Sequence, residues 1–344
     1  RLLWTFSAAS RALGDPTWQA MAERARAFLR AHMLDREHGG VYWLVDADGT
    51  PRDTRKHVHA QASAIHALAE HHRATGNASS LQDAISLFEL VERHAPDAEF
   101  GGYEEAFGRD WAQREELGPS DADAGERKRA STHLRLLEAY TSLYRSWPES
   151  RLRIRLQQLV ALFLDRIVDK GSGHLIPSFD TAWAPLAGPV SYGHDIETSW
   201  LLMEAVDAIG DLALRLRVQP VAVRIARAVL DRGFDREHGG IFNADGPAGA
   251  ASTDKDWWPQ AEGIVGFLNA WELTGESRFL DAAVVTWEFT SRHVLDRAHG
   301  EWHATVARDG QVRAGREKVG ASKCGHHNAR ACLEVMARAE YLES

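Results

Sequence analysis

The stretch Ser191-Tyr-Gly-His-Asp-Ile-Glu-Thr-Ser-Trp-Leu-Leu202 contains three side chains that could do chemistry together. His194, Glu197 and Trp200 are spaced three residues apart, which on a helix places an imidazole, a carboxylate and an indole on nearly the same face. An imidazole transfers protons near neutral pH, and an indole stacks readily on a sugar face. A capped helix whose glutamate complements the helix dipole would show the same residues without any chemistry. The stretch alone therefore leaves a sugar site and a capped helix open.

Reactive side chains recur on every second predicted helix of the chain. In a closed double ring of helices, alternate helices line the inside, so these side chains predict a central pocket rich in His, Trp and Glu. The residues concerned are Arg1, Trp4, Lys56 through Gln61, His133, His194, Glu197, Trp200, Trp257, Trp258, Glu262, His326, His327 and Asn328.

A short Gly-bearing repeat separates the predicted helices. Leu34-Asp-Arg-Glu-His-Gly-Gly-Val-Tyr42 returns as Phe234-Asp-Arg-Glu-His-Gly-Gly-Ile-Phe242, and weaker copies begin at Pro96, Val168 and Leu295. Successive copies lie about 60 to 70 residues apart, and such a period indicates repeated supersecondary units. The composition of the copies is typical of turns, in which glycine adopts backbone angles that other residues avoid.

Between the copies, apolar residues recur at helical spacing. We expect helices at about 1–9, 15–33, 56–75, 79–94, 127–146, 150–168, 194–210, 212–231, 256–274, 276–294 and 323–341. Residue 1 begins directly in an apolar helix, so we expect a twelfth helix upstream of the chain and six helical hairpins that close a ring. The sequence thus predicts an all-α fold and one catalytic domain over residues 1–344.

Composition and charge exclude several classes of partner. A net charge of −9 without a clustered basic face argues against nucleic acid, and no apolar run approaches the ~20 residues that span a bilayer. Cys324 and Cys332 lie eight residues apart on one predicted helix, about 12 Å at ~1.5 Å rise per residue, beyond disulfide reach. We expect a cytoplasmic monomer or homodimer without membrane contact, whose partner is a small-molecule sugar.

Five motifs together resemble the N-acylglucosamine 2-epimerase superfamily, closest to its cellobiose 2-epimerase and mannose 2-epimerase branch. They are Arg1-Leu-Leu-Trp-Thr-Phe-Ser7, Thr132-His-Leu-Arg-Leu-Leu-Glu-Ala-Tyr140, Ser191-Tyr-Gly-His-Asp-Ile-Glu197, Trp257-Trp-Pro-Gln-Ala-Glu262 and Lys323-Cys-Gly-His-His-Asn-Ala-Arg330. The resemblance covers essentially the whole chain, and the motifs follow the family's order. It implies an (α/α)6 barrel and cofactor-free inversion at C2 of a reducing sugar.

The resemblance also implies roles for individual residues. His194 and His327 match the two histidines that act as general acid and base on opposite faces of the opened aldose, through a cis-enediolate. The positions that match the sugar-binding site are Arg1, His59, His133, Glu197, Trp200, Trp258 and Glu262. Histidine suits the reaction because its ordinary pKa lies near working pH, and enediolate oxygens need donors such as Arg1 and His133.

No metal or cofactor is expected in this scheme. The sequence has no phosphate-binding Gly loop, no Cys cluster and no H-E-x-x-H pattern. An aldose–ketose isomerase acting on mannose and fructose remains an alternative, because it differs only in where the proton returns to the enediolate. An (α/α)6 glycoside hydrolase could use Glu197 and Glu262 as its two carboxyl groups, and a non-catalytic helical scaffold is a third reading.

Two departures from the branch pattern bear on substrate size. Ser322 stands where the branch usually has a Trp that stacks on the second sugar of a disaccharide, and His59 stands where it usually has Tyr. A stacking indole contributes on the order of 1 kcal/mol beyond its buried area. We therefore expect glucose and mannose to be interconverted with higher efficiency than cellobiose or lactose.

Overall fold

The computed structural model describes residues 1–113, 127–245, 253–320 and 323–343. Within these ranges all eleven predicted helices are present, several with ends displaced by a few residues. The helices are α1 (Leu2–Leu13), α2 (Pro16–Phe28), α3 (Val58–Thr75), α4 (Ala78–His94), α5 (Ala130–Ser146), α6 (Ser150–Leu162), α7 (Tyr192–Ile209), α8 (Leu212–Arg232), α9 (Trp257–Thr274), α10 (Ser277–Phe289) and α11 (His326–Glu343). Helices α2, α6 and α10 continue into a π-helical turn, at Leu29–Met33, Phe163–Ile167 and Thr290–Val294 respectively.

Short strands join the loops around the helix starts, a detail that the predicted all-α fold did not include. They are β1 (Leu44–Val45), β2 (Pro51–Asp53), β3 (Lys56–His57), β4 (Ala106–Phe107), β5 (Lys128–Arg129), β6 (Ser178–Phe179), β7 (Val190–Ser191), β8 (Ala244–Asp245), β9 (Lys255–Asp256) and β10 (Thr305–Val306). β1 pairs with β2, and each strand that leads into a helix pairs antiparallel with the next strand along the chain: β3 with β4, β5 with β6, β7 with β8 and β9 with β10. These ladders fix where α3, α5, α7 and α9 begin.

The chain packs as two compact units. The first comprises Arg1–Leu162 and Ser178–Ala187. In it α3 packs between α1 and α5, while α2, α4 and α6 each pack against the helix that precedes them. Alanines at positions 62, 64, 67 and 69 are buried along α3, which allows its neighbours to approach closely.

The second unit comprises Phe163–Pro177 and Gly188–Ser344. Here α9 packs between α7 and α11, with α8 against α7 and α10 against α9. Most residues of α7 and α9 are buried, including polar ones such as Glu197 and Glu262, as expected of helices that contact neighbours on several sides. No helix among the described residues is long and apolar enough to cross a membrane. That one domain spans residues 1–344 stays a prediction.

Each Gly-bearing repeat forms a turn that is closed by an antiparallel bridge at the same two positions. In the copy Leu34–Val41 the first and last residues form an antiparallel bridge, and Gly39 and Gly40 have φ of +70° and +76°. Side chains other than glycine rarely adopt this left-handed conformation, which explains the paired glycines. The equivalent bridges in the other copies are Pro96–Tyr103, Val168–Leu175, Phe234–Ile241 and Leu295–Trp302.

Each of the first four turns is hydrogen-bonded by a side chain from the first turn of the helix that follows it. Gln61, the fourth residue of α3, accepts a hydrogen bond from Val41 N at 2.7 Å and donates one to Val41 O at 2.8 Å. The fourth residues of α5, α7 and α9 accept from the equivalent main-chain N–H: His133 from Tyr103, Asp195 from Leu175 and Gln260 from Ile241. We call Gln61, His133, Asp195 and Gln260 the anchor residues. Each connects the start of α3, α5, α7 or α9 to the preceding turn.

Candidate active site

His194 lies in the first turn of α7 and is held by the residue that caps the helix. Ser191 Oγ accepts from His194 N and lies 2.9 Å from His194 Nδ1. This contact fixes the plane of a half-buried imidazole. Gly193 allows the indole of Trp258 on α9 to lie against that ring: the two ring centroids are 4.8 Å apart, and a Cβ at Gly193 would stand 2.4 Å from Trp258 Cη2.

His327 lies in the first turn of α11 and contacts the same indole. Its ring centroid is 5.7 Å from that of Trp258, and its Nδ1 is 2.7 Å from Glu262 Oε1 on α9. An imidazole whose Nδ1–H donates to a carboxylate carries its reactive lone pair or proton on Nε2. Trp258 is half-buried and lies against both His194 and His327.

The two glutamates predicted at the site share one cation. Arg330 Nη2 donates to Glu262 Oε1 at 2.7 Å and to Glu197 Oε1. The guanidinium lies over the ring of Trp200, 4.9 Å from its centroid, and Trp200 Nε1 donates to Glu262 Oε2 at 3.1 Å. All four side chains are buried. Buried charges of this kind are stable only when paired and hydrogen-bonded, and here each carboxylate has a charged donor.

A metal ion is a poor fit to these donors. Glu197, Glu262 and His327 offer ligand atoms that lie within 4.8 Å of one another. Oε1 of Glu197 and Oε1 of Glu262, however, already accept hydrogen bonds from Arg330. A cation would have to displace the guanidinium, so the arrangement favours a hydrogen-bonded ionic network over metal coordination.

The second unit thus brings together six of the predicted site residues. They are His194, Glu197, Trp200, Trp258, Glu262 and His327. Arg330 belongs to the same network but was not among the predicted site residues. Its signal in the sequence is its spacing, because it follows His327 by three residues and so lies one helical turn further on the same face.

Three predicted site residues belong to the first unit: Arg1, His59 and His133. Arg1 is exposed at the start of α1, and His59 is half-buried in the first turn of α3, with its ring 6.5 Å from that of Trp43. Their contact with a sugar stays a prediction. Ser322, from which the monosaccharide preference was inferred, lies outside the described residues.

His133 is an anchor residue with both ring nitrogens close to main-chain groups. Its Nδ1 lies 2.7 Å from Arg129 O, and its Nε2 accepts from Tyr103 N at 3.1 Å. Burial lowers the pKa of His133 to about 4, so the ring is neutral at physiological pH. A donor role toward the enediolate would require His133 to exchange one of these bonds, and that role stays a prediction. The sequence showed an inward histidine, but the anchor position is visible only after the turns are aligned.

Known proteins match both the sequence and the structure. A family model described as N-acylglucosamine 2-epimerase matches residues 1–329. A cellobiose 2-epimerase of Bacteroides fragilis is 42% identical over 336 residues, which cover 98% of this chain and 86% of that protein. The structure of cellobiose 2-epimerase from Bacillus thermoamylovorans B4167 matches with a TM-score of 0.92 and 36% identity, over 98% of this chain and 86% of that one.

A D-mannose isomerase structure also matches, with a TM-score of 0.86 over 98% of this chain and 86% of that one. Its identity is 20%, so this likeness concerns the fold alone. The matches confirm the predicted fold class, an all-α (α/α)6 barrel of helical hairpins, and the resemblance drawn from the five motifs. The chain belongs to the N-acylglucosamine 2-epimerase family and is a carbohydrate epimerase, an isomerase.

Proposed function

We propose that this epimerase reversibly inverts C2 of a reducing aldose by proton transfer between His194 and His327. The observation that carries the proposal is that both imidazoles contact the half-buried indole of Trp258. The two histidines come from different helices and approach that indole independently. A sugar lying beside the indole could meet one imidazole on each face of its C2 carbon, which the inversion of a carbon centre requires.

The chemistry follows from proton transfer next to an aldehyde. In the opened aldose, one imidazole takes the C2 proton. The electron pair of the C2–H bond forms a C1–C2 double bond while the carbonyl pair moves to O1, which gives a cis-enediolate. The second histidine, as imidazolium, returns a proton to C2 from the opposite face, and the electrons move back to restore the aldehyde. Proton exchange with solvent then returns each imidazole to its starting protonation state.

The partners of the two rings suit these roles. Ser191 Oγ near Nδ1 of His194 orients that ring, and Glu262 Oε1 accepts from Nδ1 of His327. Nε2 is then the nitrogen on each ring that exchanges protons with the sugar. The carboxylate of Glu262 stabilises the imidazolium that exists while His327 holds the proton, as a buried carboxylate does beside a catalytic imidazole in other enzymes. Glu197 acts less directly, by sharing Arg330 with Glu262.

The developing negative charge on O1 needs a donor. Arg1 is the proposed donor, because a guanidinium forms charge-assisted hydrogen bonds and cannot be deprotonated in proteins. His59 is proposed to contact the reacting sugar, where a change from the phenol of tyrosine to an imidazole alters hydrogen bonding. Trp200 is proposed to form part of the wall of the site, and its indole N–H donates a hydrogen bond to Glu262.

For the substrate, we propose a preference for glucose and mannose over disaccharides of the cellobiose type. Ser322 supports this preference, because it leaves out the indole that would stack on a second sugar. The relatives named above are cellobiose 2-epimerases, so turnover of cellobiose is expected as well, at lower kcat/KM. In Ser322→Trp, a gain in kcat/KM for cellobiose relative to mannose would support this cause, whereas a clear wild-type preference for cellobiose would contradict it.

The experiment is incubation with glucose, mannose or cellobiose in heavy water, followed by NMR of the products and of deuterium at C2. We expect the C2 epimer of each sugar, with solvent deuterium at C2. His194→Asn and His327→Asn should each lower turnover by ~10²–10⁴-fold while the far-ultraviolet circular dichroism stays unchanged. His299→Asn is the matched control, because this imidazole is 80% exposed in the same unit.

Other products would point to the alternative functions. Fructose as the main product from mannose would identify an aldose–ketose isomerase. Release of glucose from cellobiose would identify a glycoside hydrolase, but that reading needs a carboxylic acid available to the leaving group. Glu197 and Glu262 each accept a hydrogen bond from Arg330, so neither carboxyl group is placed to donate a proton to a leaving group.

A further inference from the structure

Two of the five Gly-bearing turns lack glycine at one shared position, and they are the turns that precede α7 and α11. The position is the residue just before the last bridging residue of the turn. It is occupied by Gly40, Gly102 and Gly240 in three turns, and by His174 and Glu301 in the other two. The turns with a side chain at this position therefore precede the helices that carry His194 and His327.

In the turn before α7, the extra side chain binds the anchor residue. His174 Nδ1 lies 2.7 Å from Asp195 Oδ2, while Asp195 Oδ1 accepts from Leu175 N at 2.8 Å. His174 and Asp195 are both buried. Asp195 is the residue that follows His194, so both carboxylate oxygens next to the proposed acid–base residue are held by the turn.

In the turn before α11, Glu301 makes the hydrogen bond that an anchor residue makes in the other turns. Its Oε1 accepts from Trp302 N, the N–H that the anchor residues bind in the other turns, and from Asn328 Nδ2, each at 3.0 Å. It also pairs with the buried Nζ of Lys323 at 3.0 Å. Asn328 follows His327 in the sequence. Its side chain is one methylene shorter than that of Gln61 or Gln260, and Glu301 connects it to the turn.

Glu301 also has a left-handed backbone, with φ of +62°. Gly40 and Gly240 adopt φ of +76° and +78° at the same position, where glycine meets no steric penalty. A glutamate is strained in this conformation. Strained residues of this kind persist where their side chains make contacts that the surrounding structure requires, which often occurs near functional sites.

We propose that His174 and Glu301 are positioning residues, each of which fixes one of the two proton-transfer histidines through the residue next to it. His174 acts on His194 through Asp195, and Glu301 acts on His327 through Asn328. The inference rests on the proposed two-histidine mechanism. Proton transfer to carbon is sensitive to geometry, and a displacement of about 1 Å can lower the rate about 100-fold. The turns before α3, α5 and α9, whose helices carry neither histidine, have glycine at this position.

The test replaces each side chain by the glycine that the other turns contain. In His174→Gly and Glu301→Gly we expect kcat to fall about 10- to 100-fold, with KM within about threefold of wild type, because the interaction acts on the reacting geometry. His174→Asn and Glu301→Gln keep a donor or acceptor at the same place and should recover most of kcat. All rates are measured well below the Tm of each variant. A kcat within twofold of wild type in both glycine variants would overturn the proposal.

Deuterium exchange separates the two histidines. Glucose or mannose is supplied alone in heavy water, and deuterium at C2 of the unreacted sugar is measured. A variant with one displaced histidine still exchanges the epimer whose proton the other histidine removes. We expect His174→Gly and Glu301→Gly to retain exchange with opposite epimers. Equal loss with both epimers in both variants would refute the proposal, whereas absence of exchange in the wild-type protein would refute the proposed function itself.

A matched control tests whether stability of the turn alone explains the result. Lys318 Nζ donates to Asp296 Oδ2 and Gly300 O, in the same turn as Glu301. Lys318→Met should lower Tm while kcat stays within about twofold of wild type. If Lys318→Met lowers kcat as far as Glu301→Gly does, a loosened turn is sufficient and the positioning role of Glu301 is refuted.

Discussion

Removal of the Arg330 guanidinium should destabilise the protein far more than loss of a surface ion pair. Arg330 is 3% exposed and is bound by the buried carboxylates of Glu197 and Glu262. In Arg330→Met those carboxylates face each other at a distance of no more than 4.8 Å. Two unit charges at that distance repel by about 3–4 kcal/mol at an effective dielectric constant of 20.

Methionine preserves the apolar contact with Trp200, so the loss of unfolding free energy is mainly electrostatic. Removal of one partner from a buried ion pair typically costs about 3–5 kcal/mol, in agreement with this figure. We therefore expect Arg330→Met to lose about 3–5 kcal/mol of unfolding free energy. The catalytic rate should fall as well, because Glu262 no longer holds its place beside His327.

Urea unfolding followed by circular dichroism measures the effect. The double variant Arg330→Met/Glu197→Gln removes one of the two unpaired charges and should recover at least half of the loss. Arg338→Met, on the same helix, breaks ion pairs at the surface with Glu272 and Glu334 and should cost less than about 1 kcal/mol. A loss in Arg330→Met as small as in Arg338→Met, or no recovery in the double variant, would show that the shared cation does not balance the two carboxylates.

Three further substitutions have expected outcomes. Gly193→Ala places a Cβ 2.4 Å from Trp258 Cη2, so we expect about 1–3 kcal/mol of destabilisation in urea unfolding and at least a tenfold lower kcat. Gln260→Leu leaves the N–H and carbonyl of Ile241 unpaired, which should cost about 1–3 kcal/mol for each group, measured in the same way. Burial raises the pKa of Glu105 from 4.5 to about 7, so the folded state binds the proton more tightly than the unfolded state and loses stability as pH rises through this window. Glu105→Gln should accordingly be more stable than wild type by up to about 3 kcal/mol at pH 8, with the difference vanishing near pH 4.5 in pH-dependent unfolding.

The order and number of the described helices could be predicted from the sequence because apolar periodicity reports which face of a helix is buried. The ends were harder to predict. The range 15–33 was predicted as one helix, but α2 gives way to a π-helical turn at Leu29–Met33. A π turn differs from an α turn only in which carbonyl accepts each N–H, and apolar spacing does not record that difference. Strands of two residues such as Lys56–His57 are too short to show an alternation.

Arg330 illustrates why part of the site was missed. The motif that carries it was recognised, but charged residues on a helix are usually solvated, and a sequence does not reveal that two carboxylates from α7 and α9 meet this one. In the structure Glu262 pairs with both His327 and Arg330, and Glu197 is linked to them through the shared guanidinium.

His133 and His194 illustrate a second reason, which concerns position along a helix. His194 is the third residue of α7 and His133 is the fourth residue of α5. Successive residues on a helix point about 100° apart, so a shift of one position turns a side chain from Trp258 in one case to the main chain of a turn in the other. Both histidines fit the same inward pattern in the sequence. To tell them apart, each helix must be aligned with its own Gly-bearing turn. Asp195 shows this alignment for α7, because it accepts a hydrogen bond from Leu175 N as His133 does from Tyr103 N, so His194 lies one position before the anchor position.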